Sequence, residues 1–158
     1  MVTYKLVNKR MVNGKPHYYP LYVNAKAEME TGVWLTAEPG ELVDETHVKA
    51  SGCGGKLSLC PGFHSTLTPF CDWIGKRVNG ILVQRKNTVW VECRVIGKQF
   101  FCNHSRELLD GWYYRRTNAK QKDPWVVSKY LMIVRELTRA EVEQKCRENG
   151  LTAQRMEG

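Results

Sequence analysis

Long apolar runs are missing from the 158-residue sequence, and none approaches the ~20 residues that a membrane-spanning helix needs. The first residues do not combine a basic end with an apolar stretch, so we expect no secretory signal. With 42% apolar and 25% charged residues, the composition differs from that of a disordered tail or a collagen-like fibre. These absences predict one soluble, cytoplasmic globular domain over residues 1–158, without membrane association.

The common catalytic motifs are missing as well. The sequence has no Gly-x-Ser-x-Gly nucleophile turn, no Gly-x-x-x-x-Gly-Lys-Ser/Thr phosphate loop and no His-Glu-x-x-His metal motif. The remaining candidate catalytic residues are His64, Ser65 and Thr66, which follow a Pro-Gly turn pair. Neighbouring strand residues point to opposite faces, so His64 and Ser65 are not expected to act on each other. The structural alternative is a histidine whose ring nitrogens bond to nearby backbone.

Six cysteines are present, but the usual spacing of zinc motifs is not. No two cysteines are separated by two residues, as knuckle ligands are, so we expect no metal. The minor alternative is a zinc site formed by Cys53, Cys60, His64 and Cys71. Disulfides are not expected without a secretory signal. Two further cysteines fall at apolar positions of a strand and a helix and are predicted to be reduced core residues: Cys93 and Cys146.

Basic residues are unevenly distributed along the chain. Residues 1–75 contain equal numbers of acidic and basic side chains, so the net charge of +8 lies entirely in residues 76–158. Such an excess favours attraction to phosphate, and interleaved aromatic rings could stack on bases. The predicted residues for binding nucleic acid or a nucleotide are Arg85, Lys86, Trp112, Tyr113, Arg115, Arg116 and Lys120. The structural alternative is that Trp112 and Tyr114 pack into the core.

Strand patterns dominate the chain. Asn13-Gly14 predicts a type I′ hairpin over about residues 3–23, and a later Asn-Gly pair predicts a second hairpin. Prolines in the second arm of the first hairpin predict that this arm is an edge strand or leaves the sheet early. Alternation predicts a strand over Thr88–Ile96, and a ten-residue apolar run predicts a central strand over Trp125–Val134.

Two helices are predicted. A short one over residues 24–32 would be stopped by Gly32. A longer one, over about residues 139–149, has Thr138 and Glu141 as a capping box and Gly150 after its last turn. Residues 38–56 are predicted to be a long polar loop. Together these elements predict an α+β domain with a mostly antiparallel, twisted sheet and a packed C-terminal helix.

Five short motifs resemble an uncharacterised protein family of phages and conjugative elements of gut bacteria. They are Cys60-Pro-Gly-Phe-His-Ser-Thr, Thr88-Val-Trp-Val-Glu-Cys, Asp110-Gly-Trp-Tyr-Tyr-Arg-Arg-Thr-Asn, Pro124-Trp-Val-Val-Ser and Leu137-Thr-x-x-Glu-Val. The resemblance covers roughly residues 18–150 and implies an accessory protein of a mobile genetic element. In that family an arginine usually precedes the Pro-Gly step, where this chain has Cys60. The resemblance implies no established activity.

A second resemblance concerns the Gly-Phe-x-Ser-Thr step around His64 and the strand that follows later. It is similar to the core of ADP-ribosyltransferases, which implies an enzyme with NAD as cofactor. The residues that could be mapped are His64, Ser65, Thr66 and Tyr113. The strand from residue 124 to 134 lacks the expected catalytic glutamate, and the nearby candidates are Glu92 and Glu136. A protein–protein adaptor that uses the Trp/Tyr surface is the third functional hypothesis.

Overall fold

A computed structural model of the chain describes residues 1–21, 26–37, 62–72, 74–100, 110–115 and 125–158. The strands in these ranges are β1 (Val2–Val12), β2 (Lys15–Tyr19), β3 (Leu35–Thr36), β4 (Phe63–Ser65), β5 (Lys76–Val78), β6 (Ile81–Val83), β7 (Thr88–Val95), β8 (Lys98–Gln99), β9 (Gly111–Arg115), β10 (Trp125–Ser128) and β11 (Tyr130–Glu136). The helix is α1 (Arg139–Glu148). Within the same ranges, no helix combines the length and apolarity needed to cross a membrane.

The strands form two sheets and a separate hairpin. The larger sheet has the order β2-β1-β7-β11-β3 and is antiparallel throughout, while the smaller has the order β4-β10-β9-β8. In the smaller sheet, β8 and β9 run parallel. Two backbone hydrogen bonds of 2.7 and 2.8 Å join Tyr4 of β1 to Thr66, just after β4. Because β10 leads directly into β11, strands β1, β7, β11, β10 and β4 form a closed circuit around a buried interior.

The alternation of β7 divides the core into two clusters. Val91, Cys93 and Val95 are at most 1% exposed and face the interior of the circuit, as the sequence pattern predicts. Trp90 points to the other face of the sheet, which the helix covers, and is 3% exposed. The buried partners of Trp90 in that cluster include Tyr4, Leu6, Leu137, Val142 and Cys146.

The two Asn-Gly pairs form the predicted hairpin turns. Asn13 and Gly14 have φ angles of 52° and 77°, and Asn79 and Gly80 have φ angles of 51° and 79°. Both central residues of a type I′ turn need positive φ, which Asn and Gly tolerate better than other residues. The second arm of the first hairpin, β2, lies at the edge of the larger sheet, as its prolines predict.

The apolar run from Trp125 to Val134 is two strands, so its prediction as one strand is wrong. The run breaks at Lys129: the first part pairs with β4 and β9, and the second with β7 and β3. The backbone N–H of Lys129 donates to Gly111 and its carbonyl accepts from Ala37, outside both ladders. β10 is buried along its whole length, which fits an apolar run without alternation, whereas β11 alternates between buried and more exposed residues over Tyr130–Val134.

The C-terminal helix is confirmed, including its capping box. The Thr138 hydroxyl accepts from the Glu141 N–H at 3.2 Å, and the Glu141 carboxylate accepts from the Thr138 N–H at 3.1 Å. Val142 and Cys146 form its buried stripe. The predicted helix over residues 24–32 is wrong for residues 26–32, which form turns and a single bridge, while residues 24 and 25 and the loop 38–56 lie outside the described residues. The result is a compact, strand-rich fold with an antiparallel majority and a C-terminal helix.

Candidate functional site

An open groove lies where the first hairpin leaves the larger sheet. β1 pairs with β7 only as far as Asn8, opposite Thr88, and the next contact is the Lys9 N–H donating to Asn87 at 2.8 Å. Beyond that point β1 pairs with β2 alone, so the hairpin projects past the sheet. The groove at this junction has a volume of about 1020 Å³. Its lining residues are Asn8, Lys9, Arg10, Met11, Lys76, Arg85, Lys86, Asn87 and Glu157.

The turn that carries Arg85 and Lys86 is held by buried polar side chains on both sides. The Gln84 amide donates to the Thr88 carbonyl at 3.0 Å, and the Thr88 hydroxyl donates to the Arg85 carbonyl at 2.5 Å. Gln84 and Thr88 are 4% and 3% exposed, so these bonds are shielded from water. Asn87 has a φ of 61°, a left-handed conformation that Asn tolerates. The turn therefore presents two exposed cations on a well-supported backbone.

The last residues of the chain form the far wall of the groove. Gln84 donates its N–H to Arg155 and accepts from the Glu157 N–H, both at 2.8 Å. The Glu157 carboxylate accepts from Lys76 Nζ at 2.8 Å and from the Lys86 backbone N–H at 3.0 Å. The Lys76 hydrogen bond, followed by that from Lys86, holds the pKa of Glu157 below its usual value. A carboxylate therefore already occupies one anion-binding position in the groove.

The groove is strongly cationic. Its lining contains five Lys or Arg side chains and one carboxylate, which is a formal charge of +4. Lys9 is paired with Glu136 of β11 at 2.8 Å, and the Arg10 guanidinium lies 4.6 Å from the centroid of the Tyr19 ring. Within the described part of the chain, Arg85 and the Lys86 ammonium make no salt bridge. These two charges are available to an external anion.

The aromatic part of the predicted binding surface lies on β9 and is partly buried. Tyr113 is 6% exposed and its ring centroid is 5.2 Å from that of Phe100, so it offers no face to a base. Trp112 is half-buried and packs edge-on against Tyr114, with 5.1 Å between centroids. Tyr114 is 41% exposed. The side chains of Arg115, Arg116 and Lys120 lie outside the described residues.

These aromatic residues and the groove lie at opposite ends of β1. The Tyr114 hydroxyl is 3.8 Å from the sulfur of Met1, and Met1 is hydrogen-bonded to Val95 at the end of β7. Asn8, at the groove, is seven residues further along. At ~3.3 Å per residue, the two regions are separated by roughly 23 Å. The structure therefore does not bring Arg85 and Lys86 together with the described aromatic side chains.

The three candidate catalytic residues do not form an accessible catalytic group. Ser65 and Thr66 are at most 1% exposed, so no substrate meets their hydroxyls without opening of the sheet. The Thr66 hydroxyl is in contact with two backbone carbonyls, those of Tyr4 at 3.2 Å and Thr68 at 2.5 Å. The His64 ring packs edge-on against Trp125, with 6.0 Å between centroids. These contacts place Ser65 and Thr66 in the core. The alternative of a histidine whose ring nitrogens bond to nearby backbone stays a prediction.

The cysteines that the structure describes are buried. Cys93 and Cys146 are reduced, as predicted, and burial raises the pKa of the Cys93 thiol to about 12. Metal ligation needs the thiolate, which this environment disfavours. Cys53 and Cys60 of the minor zinc hypothesis lie outside the described residues. Across the described ranges there is no cluster of three or more His, Cys, Asp or Glu side chains that could hold a metal.

Four charged residues of the groove were not among the predicted site residues: Lys9, Arg10, Lys76 and Glu157. They come from three distant segments, and two of them belong to the neutral first half of the chain. A local signal exists for three of them, because Lys9 and Arg10 precede one Asn-Gly turn and Lys76 precedes the other. Their convergence with the turn at Arg85 depends on strand pairing, which the sequence does not reveal.

Comparison with family models, with curated proteins and with solved structures finds no match for this chain. The resemblances to the mobile-element family and to ADP-ribosyltransferases therefore stay predictions. The physical basis for a function is the groove itself.

Proposed function

We propose that the protein binds the phosphate backbone of a nucleic acid in the groove between the β1–β2 hairpin and the turn at Arg85. The observation that carries this proposal is the convergence of five cations on one open surface with a single carboxylate among them. Clustered Lys and Arg side chains bind polyanions mainly by releasing the counterions condensed on the phosphates. A role as an accessory protein of a mobile genetic element is compatible with this activity.

The composition of the groove favours a backbone over a base or a free nucleotide. No aromatic residue lines it among the described residues, and the Tyr19 ring has the guanidinium of the lining residue Arg10 over it. Recognition of a base would need an exposed stacking face or a set of hydrogen-bonding side chains directed at the base edge. An open row of cations instead follows a chain of phosphates, so we expect little sequence preference.

The test is a binding titration of a fluorescein-labelled oligonucleotide, single-stranded and duplex, at about 50 and about 200 mM salt. For the wild type we expect affinity to fall steeply with salt. Arg85→Ala with Lys86→Ala should weaken binding roughly tenfold at the lower salt and reduce the slope against log salt by about one per lost contact. Unchanged binding in this double variant would overturn the proposal.

The matched control is Lys98→Ala with Arg147→Ala. It removes the same formal charge from two exposed positions outside the groove. We expect this control to bind within a factor of two of the wild type, because exposed charges beyond about one Debye length are largely screened. Equal losses in the two double variants would show that net charge, and not the groove, determines binding.

A second candidate function is protein binding at the aromatic end of the sheet. Met1, Ile96 and Tyr114 are 38%, 45% and 41% exposed there, next to the half-buried Trp112. Exposed apolar side chains that lie side by side mark interaction sites more often than isolated ones do. Capture from a host extract by the wild type, but not by an Ile96→Ser and Tyr114→Ser double variant, would support this function. Identical capture by both would contradict it.

A further inference from the structure

The position of the Glu157 carboxylate shows that the groove contains a built anion-binding subsite. The carboxylate receives one hydrogen bond from an ammonium, Lys76 Nζ, and one from a backbone N–H, that of Lys86. The Glu157 side chain is 14% exposed, whereas Lys76 is 55% exposed. Phosphate-binding sites commonly combine a backbone N–H donor with a cationic side chain, and both contact this carboxylate.

The subsite is supported independently of the carboxylate that fills it. Its backbone donor belongs to the turn fixed by Gln84 and Thr88, and its cation is carried by β5. The backbone around Glu157 is held by the two hydrogen bonds to Gln84. The Gln154 amide also donates to the Cys71 carbonyl at 2.6 Å. The backbone that carries Glu157 is therefore held by contacts that do not involve its carboxylate.

We propose that the Glu157 carboxylate is an internal substitute for a phosphate of the ligand. A nucleic-acid phosphate takes the position between Lys76 and the Lys86 N–H when the Glu157 side chain rotates out. The inference rests on the proposed function, because the phosphate is one of the backbone that the groove binds. It adds a specific contact pair and an intramolecular competitor that lowers the apparent affinity.

Removal of the competitor tests the subsite. In Glu157→Gln we expect tighter binding of the labelled duplex, by roughly tenfold if the carboxylate fills the subsite in about nine molecules in ten. The control is Glu148→Gln, which removes the same charge from an exposed helix position whose carboxylate accepts from the Gln144 amide. This control should bind within a factor of two of the wild type. Equal affinities of the two variants would overturn the inference.

The Lys86 amide resonance in the bound state distinguishes displacement of residue 157 by a phosphate from the simple loss of a charge. In the free proteins this resonance should differ between the wild type and Glu157→Gln, because the partner of the N–H differs. In the duplex-bound proteins the two resonances should coincide, because the same phosphate then accepts from the N–H. Bound-state resonances that stay apart would overturn the subsite even if affinity rises.

The outcomes separate this inference from the proposed function. If the wild type binds the duplex in a salt-dependent way but Glu157→Gln shows neither the gain nor the merging of resonances, the groove binds and the subsite does not exist. If neither the wild type nor Glu157→Gln binds the duplex or the single-stranded oligonucleotide, the proposed function is wrong and the subsite is wrong with it.

Discussion

The two ends of the central β1–β7 pair differ in the side chains they carry and in how those side chains are used. At the groove end, a turn and a hairpin carry exposed cations, and hydrogen bonds of the buried Gln84 and Thr88 side chains support the turn. At the aromatic end, the rings of Trp112 and Tyr113 pack against neighbouring side chains. The comparison shows that a segment rich in Trp, Tyr and Arg is not by itself a binding surface. Strand alternation directs part of such a segment into the core.

Both ends also contain a carboxylate whose pKa is lowered by a lysine, with different consequences. Asp110 is paired with Lys129 at 2.6 Å and accepts from the Tyr130 hydroxyl at 3.0 Å, and these bonds lower its pKa. Glu157 is paired with Lys76 inside a groove that contains further cations. The first pair joins two neighbouring parts of the fold. The second neutralises part of a surface that is otherwise available to an anion.

The largest expected effect is on stability at the aromatic end. Gly97 has a φ of 103°, and a Cβ built there would lie 2.5 Å from the Cα of Gly111, where β8 meets β9. Gly97→Ala combines a strained backbone with a backbone clash, so we expect a loss of about 2–4 kcal/mol in unfolding free energy. Oligonucleotide affinity of the folded protein should not change. Chemical denaturation and the binding titration measure the two quantities.

Gly32 is a control that separates the backbone strain of a positive φ from the steric clash expected at Gly97. Gly32 has a φ of 78°, but a Cβ added there would meet no atom within 4 Å, so Gly32→Ala retains the strain without the clash. We expect it to cost about 1–2 kcal/mol. If the two alanine variants are equally destabilised, the clash between a Cβ at residue 97 and the Gly111 backbone adds nothing to the cost of the substitution.

An intermediate effect is expected at the groove end, on stability and binding together. Asn87→Ala places alanine at a φ of 61° and should lower the unfolding free energy by about 1 kcal/mol. The same change loosens the turn that presents Arg85 and Lys86, so we also expect weaker oligonucleotide binding. Asn87→Gly, which tolerates positive φ, should preserve more of the binding. Binding that is lost equally in both variants would mean that the Asn87 side chain, and not the turn geometry, matters.

The smallest effect is the pH dependence contributed by Asp110. Because its pKa is lowered in the folded protein, its pairing stabilises the fold above the ordinary carboxyl pKa of 3.8. That contribution is lost as the pH falls through the lowered value. Asp110→Asn should therefore reduce the unfolding free energy at neutral pH and flatten its decline in acid, without changing oligonucleotide affinity. An unaltered acid profile would contradict this role, and weaker binding would contradict the separation of the two ends.

Local signals explain the parts of the fold that the sequence predicts. The Asn13-Gly14 turn and the Thr138–Glu141 capping box involve residues at most three apart, so their chemistry is visible in the chain itself. The break at Lys129 is different. Both halves of the run are rich in apolar residues, and composition does not show that they belong to different sheets.

The candidate site was predictable only in part, because local signals do not show which distant segments pair. Arg85 and Lys86 follow from the basic excess of the second half, but Lys9 and Glu157 reach the groove through pairings across most of the chain. Burial of Tyr113 and Ser65 likewise depends on which neighbours cover them. The ligand class suggested by a basic and aromatic composition stays a prediction, while the position of the cationic groove required the structure.

The most direct measurement is a map of backbone amide shifts in the ¹⁵N-labelled protein during titration with an unlabelled oligonucleotide. We predict that the largest changes fall on the amides of Lys9, Arg10, Lys86, Asn87 and Glu157. Amides of Trp112 to Tyr114, roughly 23 Å away along β1, should change little. Changes centred on Trp112 to Tyr114, or no saturable change at any amide, would contradict the assignment of phosphate binding to the groove.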